Sequence, residues 1–152
     1  MQYKVRTCLW FDGQAEQAAT FYVSLVPDSA IESVSRRPDD GAALVVEFHL
    51  GGTPYQALNG GPASRFTEAA SIVVMTDDQA ETDRLWAKLT DGGCESQCGW
   101  LTDRYGLSWQ IVPRALVRFL SDPDPKAAGR AMNAMLGMRK IDIAALEAAH
   151  AG

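Results

Sequence analysis

The stretch Trp100–Pro113, WLTDRYGLSWQIVP, predicts a β-hairpin and is the natural starting point for the fold. Two apolar runs, Trp100–Thr102 and Leu107–Val112, flank Asp103-Arg104-Tyr105-Gly106. Aspartate at the first position and glycine at the fourth are preferences of a type I turn. The second run carries Gln110 in its middle, so one face of this strand has a polar position that a fully buried strand would not need.

The sequence around that glutamine occurs twice. Gly52–Asn59 (GTPYQALN) lies over Gly106–Pro113 (GLSWQIVP) with a shift of 54 (106 minus 52). Asp12–Glu16 (DGQAE) lies over Asp77–Glu81 (DDQAE) with a shift of 65 (77 minus 12). The two shifts differ because the loops within each copy differ in length. The pattern indicates an internal duplication, which constrains the fold more than any single motif.

Hydrophobic periodicity predicts the same order of elements, β-α-β-β-β, in both halves of the chain. Asp12 is the candidate N-cap of the first helix, and Asp77 or Asp78 that of the second. Gly51-Gly52 predicts a hairpin turn in the first half. The first-half elements are expected at Lys4–Phe11, Ala15–Leu25 (the helix), Ala30–Arg36, Ala43–Leu50 and Pro54–Leu58. Those of the second half are expected at Ala70–Met75, a helix ending at Leu89, a short strand at Glu95–Gln97, Trp100–Thr102 and Leu107–Val112.

The expected fold is α+β, with two βαβββ modules at about 1–62 and 66–114 and a helical C-terminal tail at about 115–152, together forming one domain over 1–152. A helix covers one face of each sheet, and the two sheets form a half-open curved sheet whose inner face is a cup for a ligand. The tail is predicted to hold helices at Ala127–Leu136 and Ile141–Ala149, with Asp142 as the cap of the second. Met132, Met135 and Met138 favour packing, either within the domain or against a second subunit.

Composition narrows the class of partner. The 152-residue chain carries a net charge of −5, which argues against nucleic acid or an anionic membrane. No run approaches the roughly 20 apolar residues that span a bilayer, and no signal peptide is recognised, so a cytoplasmic location is expected. The three cysteines, Cys8, Cys94 and Cys98, favour free thiols over a disulfide framework.

Strand alternation selects candidate ligand-binding residues. Glu47 and His49 share one face of their strand, opposite the apolar face formed by Leu44, Val46, Phe48 and Leu50. Gln56 and Gln110 are counterparts, which suggests that both face a wet cavity; the alternative for Gln110 is an edge or surface position. Trp10, Trp100 or Trp109 would supply aromatic walls, and the alternative for each is core packing. The predicted ligand-binding residues are Arg6, Cys8, Trp10, Gln56, Ser71, Trp100 and Gln110.

Several motifs give the chain a family resemblance. They are Leu9–Asp12, Phe21-Tyr22, Leu58–Pro62, Asp83–Trp86, Leu89 with Gly92-Gly93, Cys98–Leu101 with Asp103–Pro113, and Met135–Asp142. With these, the chain resembles the vicinal oxygen chelate superfamily of glyoxalase, bleomycin-resistance and dioxygenase proteins. Within it, the sequence looks like the PhnB-like branch, which is labelled 3-demethylubiquinone-9 3-methyltransferase. The resemblance implies the glyoxalase/bleomycin-resistance fold and a homodimer.

The resemblance also implies where a metal would bind. Metal-using relatives place histidine, glutamine or glutamate at positions that here hold Arg6, Ser71, Gln56 and Gln110. Arginine repels a dication and neutral glutamine is a weak ligand, so no cofactor is expected. The alternative is a divalent metal at Glu47 and His49, which are also the candidate catalytic pair. His150, close to the end of the sequence, is expected to be solvated.

Three functions remain open from the sequence. A binding protein for a small organic molecule predicts an aromatic-lined cup without metal. A metal-dependent lyase, isomerase or dioxygenase predicts bound metal or an acid–base pair at Glu47 and His49. A structural or regulatory protein predicts a cup filled with side chains. Methyl transfer is disfavoured because the sequence has no G-x-G-x-x-G loop in a βαβ unit.

Overall fold

The computed structural model describes residues 3–152, which form two compact units divided between Phe66 and Thr67. Each unit contains a four-stranded mixed sheet with a helix packed on one face. The α+β class, the βαβββ order of both modules and the helical tail are therefore confirmed. Among residues 3–152, no helix has both the length and the apolar character needed to cross a membrane.

The first unit has the strand order β1-β4-β3-β2, with β1 parallel to β4 and the other pairs antiparallel. The bounds predicted for β2 and β3 are those observed, whereas β1 begins three residues later than predicted. The elements are β1 (Thr7–Phe11), α1 (Ala15–Val23), β2 (Ala30–Arg36), β3 (Ala43–Leu50) and β4 (Thr53–Asn59).

Asp12 does not cap α1, contrary to the prediction. Gln14 occupies the cap position, and Gly13, at φ +85°, separates Asp12 from the helix. Instead, Asn59 Oδ1 accepts a hydrogen bond from the backbone N of Ala15 at 2.9 Å. The end of a distant strand thus satisfies one of the exposed donors of the first turn.

The second unit repeats this arrangement in the order β5-β8-β7-β6. Asp78 Oδ1 caps its helix by accepting from Glu81 N at 2.8 Å, so the second of the two predicted caps is the observed one. The strand predicted at Glu95–Gln97 is shorter and begins one residue earlier. The elements are β5 (Ser71–Thr76), α2 (Gln79–Thr90), β6 (Cys94–Glu95), β7 (Trp100–Thr102) and β8 (Ser108–Pro113).

Strand register confirms the duplication. In the parallel pair of the first sheet, Cys8 lies opposite Gln56, and in the second, Val73 lies opposite Gln110. These pairs are related by the two shifts found in the sequence, since 73 minus 8 is 65 and 110 minus 56 is 54. The same relation holds for all five pairs of the first ladder, so both modules share one register.

Two irregularities interrupt β2 and β3. Ile31 lies opposite Phe48 and Ser33 lies opposite Glu47, which leaves Glu32 as an extra residue in a β-bulge. A second register shift lies between Ser35 and Arg36, and it explains why the strand face predicted for Leu44 is wrong. Leu44 is 38% exposed and does not join the apolar face, on which Val46, Phe48 and Leu50 are buried as predicted.

Trp109 belongs to the core of the second unit rather than to an aromatic wall. Its side chain is fully buried, and its indole Nε1 donates to Asp103 Oδ2 at 2.9 Å. Asp103 Oδ1 also accepts from the backbone N of Tyr105 and Leu107. The hydrogen bond from Gly106 N to Asp103 O, at 3.0 Å, closes the predicted turn. The core alternative for this tryptophan is therefore confirmed.

The tail forms three helices, α3 (Arg114–Leu120), α4 (Pro125–Leu136) and α5 (Ile143–Ala151). The helix α3 was not predicted, whereas Asp142 caps α5 as predicted, by accepting from Ala145 N at 3.0 Å. Leu116, Ile141 and Leu146 form a buried cluster against which Met135 and Met138 pack. Met132 remains 41% exposed. His150 is not simply solvated, because its Nε2 lies 2.7 Å from Asp122 Oδ2.

The tail is joined to the second sheet by backbone hydrogen bonds. Cys98 N donates to Met138 O and Gly99 N donates to Arg139 O, both at 2.8 Å. Gly99 has φ +84°, and a Cβ there would lie 2.8 Å from the carbonyl oxygen of Ile111. Only glycine therefore fits this close approach of three segments.

Candidate functional site

The polar face of the first sheet carries an ion-pair network that we call the Arg6 cluster, formed by Arg6, Glu32, Glu47 and His49. The Arg6 guanidinium bonds to the Glu32 carboxylate and lies 3.7 Å from Glu47 Oε1. It also donates to the backbone oxygen of Tyr55 at 3.1 Å. Because its side chain is only 14% exposed and all these partners are acceptors, the charge of Arg6 is compensated by protein groups.

Glu32 is a member of this cluster that the sequence analysis missed. Its carboxylate lies 3.2 Å from His49 Nδ1, and the hydrogen bond from Arg6, followed by that from His49, lowers the pKa of Glu32 below its ordinary value of 4.5. The bulge places Ser33 directly opposite Glu47, and Ser33 Oγ donates to Glu47 Oε2 at 3.1 Å. Glu32 could have been noticed as an acidic residue of the strand that neighbours Glu47 and His49. The bulge that brings it into the cluster could not, because no glycine or proline marks it in the sequence.

Glu47 and His49 share a strand face, as predicted, but they bind different partners. His49 contacts Glu32, whereas Glu47 contacts Ser33 and Arg6. Within residues 3–152, no hydrogen bond joins Glu47 to His49. The acid–base pair formed by the structure is therefore His49 with Glu32.

The remaining candidates on the first sheet are differently placed. Cys8 is an exposed thiol opposite Gln56 in the strand register. Trp10 is held by the loop after β4, since its Nε1 donates to Gly61 O at 2.9 Å. The indole also lies against Gly60, where a Cβ would fall 2.3 Å from the ring. Trp10 is thus partly covered by its own unit.

On the second sheet, Gln110 and Ser71 bind each other. Gln110 Nε2 donates to Ser71 Oγ at 3.0 Å across the parallel strand pair. Val73, directly opposite Gln110, is 50% exposed. The predicted residues of this sheet thus lie next to an open, partly apolar surface.

Trp100 lines a cleft of about 150 Å³ in the second unit, which we call the Trp100 cleft. Its other lining residues are Glu68, Ser96, Leu101, Thr102 and Ser108. Ser108 is 2% exposed, but its hydroxyl is accessible from the cleft, because it has no hydrogen-bond partner among residues 3–152 and no fully buried side-chain oxygen there is unpaired. The side chains of Glu68, Ser96 and Thr102 likewise have no hydrogen-bond or ion-pair partner in this part of the chain.

Of the residues that line this cleft, Trp100 was predicted from the sequence and the polar residues were not. Ser108 pairs with both Ser71 and Thr102 in the sheet register, so the three hydroxyl side chains occupy equivalent positions on adjacent strands. Because strand side chains alternate between faces, Thr102 lies on the face of Trp100 and Ser108 on the face of Gln110. This alternation could have indicated both residues from the sequence. Glu68 precedes β5 in an irregular segment, where no periodicity applies.

Two larger clefts have a different character. One of about 470 Å³ contains the ion pair between Arg36 and Glu16, at 2.7 Å. Another, of about 530 Å³ between α2, α3 and α5, contains the pair of Arg114 and Asp77, at 3.0 Å. Both ion pairs are exposed. The Trp100 cleft is the one of the three that includes a predicted site residue.

The residues at the family's metal positions do not fit a divalent cation. Arg6 is cationic, Gln110 directs its amide NH₂ group to Ser71, and Gln56 and Ser71 are neutral. Glu32 and Glu47, the nearest carboxylates to His49 in the network, are bound by the Arg6 guanidinium, which would repel a second cation. Within residues 3–152, no three His, Cys, Asp or Glu side chains are arranged to hold a metal ion.

The chain is similar to known proteins over its first three quarters. A family model described as 3-demethylubiquinone-9 3-methyltransferase matches residues 3–112. A structure described as a putative 3-demethylubiquinone-9 3-methyltransferase, PhnB protein, from Bacillus cereus is 31% identical, with a TM-score of 0.69, over 73% of this chain and 99% of that one. Among curated proteins, no match is found.

Two more distant structures share the fold. Protein PA1353 from Pseudomonas aeruginosa is 21% identical, with a TM-score of 0.61, over 74% of this chain and 98% of that one. The fosfomycin resistance protein FosX from Mesorhizobium loti is 15% identical, with a TM-score of 0.56, over 80% of this chain and 99% of that one. At these identities the similarity extends to the architecture alone.

Proposed function

Because this chain belongs to the family described as 3-demethylubiquinone-9 3-methyltransferase, the PhnB-like branch of the vicinal oxygen chelate superfamily, we propose that it binds a small polar organic molecule in the Trp100 cleft without a catalytic metal. The cleft combines one aromatic wall with several hydrogen-bonding groups, which is the usual composition of a small-molecule site. Its volume of about 150 Å³ suits a molecule of a few heavy atoms, or one end of a larger molecule.

The hydroxyl of Ser108 carries this proposal. No fully buried side-chain oxygen or nitrogen among residues 3–152 lacks a hydrogen-bond partner. Ser108 lines the cleft and its hydroxyl has no partner among the described residues, so this oxygen is accessible from the cleft although the residue is only 2% exposed. A ligand in the cleft can therefore form a hydrogen bond with it.

We propose binding without a metal because of the residues at the positions where metal-using relatives carry their ligands. Arg6 occupies a position that a metal-using relative would give to a ligand, and it neutralises the carboxylates next to His49. Methyl transfer is not part of the proposal either. Gly51-Gly52 forms the turn between β3 and β4, and Gly60-Gly61 follows β4, so neither pair begins a helix that could hold a nucleotide-like cofactor.

The test is binding of a fragment library, followed by NMR of the Trp100 indole. We expect fragments with both an apolar and a hydrogen-bonding group to shift this resonance, and Ser108→Ala to weaken them about fivefold. Ser33→Ala, on the first sheet, is the matched control and should leave binding unchanged. Fragments that shift only other resonances, or bind Ser108→Ala equally well, would count against the proposal.

The alternative is a metal-dependent lyase, isomerase or dioxygenase that uses Glu47 and His49. The observation in its favour is the contact of His49 with Glu32, because a paired histidine and carboxylate can transfer protons. Elemental analysis of the purified protein separates the two functions. A stoichiometric transition metal that is lost in His49→Ala would establish the alternative and overturn the metal-free proposal.

Three expectations about partners and location stay predictions. We propose a homodimer that does not bind nucleic acid or membranes, and a cytoplasmic location. Exposed Met132 and Leu136 on α4 support a contact between subunits, since they are one turn apart on the helix. Sedimentation equilibrium of the wild type and of Leu136→Glu tests the dimer, and a monomer at all concentrations would refute it.

A further inference from the structure

We infer that the ligand of the Trp100 cleft carries a positively charged amine, an inference that rests on the proposed function and specifies its ligand class. The lining of the cleft contains one charged residue, Glu68, and it is acidic. Among residues 3–152, Glu68 has no basic partner. A cation entering the cleft would therefore meet a carboxylate whose charge no protein group compensates.

Trp100 is the second element of this recognition. The indole face carries a negative quadrupole, and tryptophan binds cations more strongly than any other aromatic side chain. A carboxylate and an indole that line the same small cleft are complementary to an ammonium group. An anionic ligand would be repelled by Glu68, and no arginine or lysine lines the cleft to receive it.

Three hydroxyl groups are also available to such a ligand. Ser96, Thr102 and Ser108 line the same cleft, and each hydroxyl can turn its oxygen toward an ammonium group or exchange a hydrogen bond with a hydroxyl of the ligand. The Arg6 cluster shows the contrasting case within one chain. There, both carboxylates are already bound by a guanidinium, so that face does not favour a further cation.

The experiment uses three probes of nearly the same shape and different charge: choline, 3,3-dimethylbutan-1-ol and 3,3-dimethylbutanoate. Each is titrated into the full-length protein while the Trp100 indole resonance is followed by NMR. We expect choline to bind about fivefold or more tightly than the neutral alcohol, and the carboxylate to bind most weakly. Raising the salt concentration should weaken choline alone.

Glu68→Gln isolates the charge without changing the size of the side chain. It should reduce choline affinity about fivefold and leave the alcohol unaffected, whereas Glu147→Gln, an exposed glutamate outside the cleft, should change neither. Equal affinity for choline and the alcohol, or no effect of Glu68→Gln, would overturn the amine while leaving the cleft as a binding site. If no probe shifts the Trp100 resonance, both the amine and the proposed function fail.

Discussion

The two sheets have the same register but opposite chemistry on their polar faces. Arg6 corresponds to Ser71 by the sequence shift of 65. By strand register, Glu47 corresponds to Trp100 and His49 to Thr102. On the first sheet these positions are bound to one another and to the backbone through Arg6. On the second, Ser71 accepts a hydrogen bond from Gln110, whereas Trp100 and Thr102 line a cleft whose hydroxyl and carboxylate groups have no partner among the described residues.

This difference shows how a duplicated backbone can divide its roles. The ladder hydrogen bonds fix the register in both units, and they do not depend on which side chains point away from the helix. The side chains of that face are then free to change. One copy satisfies its polar groups internally, which stabilises the unit, and the other leaves them open, which is what binding requires.

The sharpest test of this comparison is to remove the central group of each face. Arg6→Ala leaves Glu32 and Glu47 close together without a cation, so we expect the free energy of unfolding to fall by about 2 kcal/mol. Ser71→Ala removes one hydrogen bond to Gln110 and should lower it by about 0.5–1 kcal/mol. Urea denaturation followed by circular dichroism measures both. Equal losses would mean that the first face is not organised by Arg6.

A smaller effect is expected from two hydroxyl groups of the second unit, those of Thr76 and Ser108. Thr76 Oγ1 lies 2.7 Å from Thr82 Oγ1 in the core, so Thr76→Val should lower the free energy of unfolding by about 1 kcal/mol. Ser108→Ala removes a hydroxyl that has no partner among the described residues and should change stability by less than about 0.5 kcal/mol, or increase it. A loss for Ser108→Ala as large as that for Thr76→Val would show that Ser108 has a structural partner.

The smallest effect is expected on how the free energy of unfolding depends on pH in the acid range. The pKa of Glu32 is lower in the folded protein than its ordinary value of 4.5, chiefly because Arg6 donates to its carboxylate. Its contribution to stability is therefore complete above about pH 4.5 and is lost as the pH falls through the lower, folded pKa. In Glu32→Gln, the urea concentration at the unfolding midpoint should therefore depend less steeply on pH in this acid range. An unchanged slope would contradict the charged contact with Arg6.

Local patterns explain why much of the fold was predictable. The DGQAE and DDQAE copies, the alternation in Val46–Leu50, and the caps Asp78 and Asp142 are each signals that act within a few residues, and the structure confirms them. The helix α3 was missed because it starts directly after Pro113, with no side-chain cap to mark it. The prediction that Asp12 caps α1 was wrong because the backbone N of Ala15 donates to Asn59, which is distant in sequence.

The candidate site was less predictable because it depends on contacts between distant segments. Arg6 and His49 were chosen from strand alternation, but their link through Glu32 depends on a bulge that no glycine or proline marks in the sequence. The hydroxyl of Ser108 is conspicuous only once its place in the cleft and the lack of a partner among the described residues are known together. Periodicity indicates the face on which a side chain lies, and it does not show whether that side chain is already bound.

The backbone bonds between the tail and residues 98–99 bear on where this protein can be cut. The match to the family model ends at residue 112, which makes that position an inviting boundary for a shortened form. A protein truncated there would lose the acceptors for Cys98 N and Gly99 N, and it would uncover the surface on which Ile141 packs. Limited proteolysis should therefore spare the segment around Met138, and the smallest well-behaved version of the second unit should retain its tail helices.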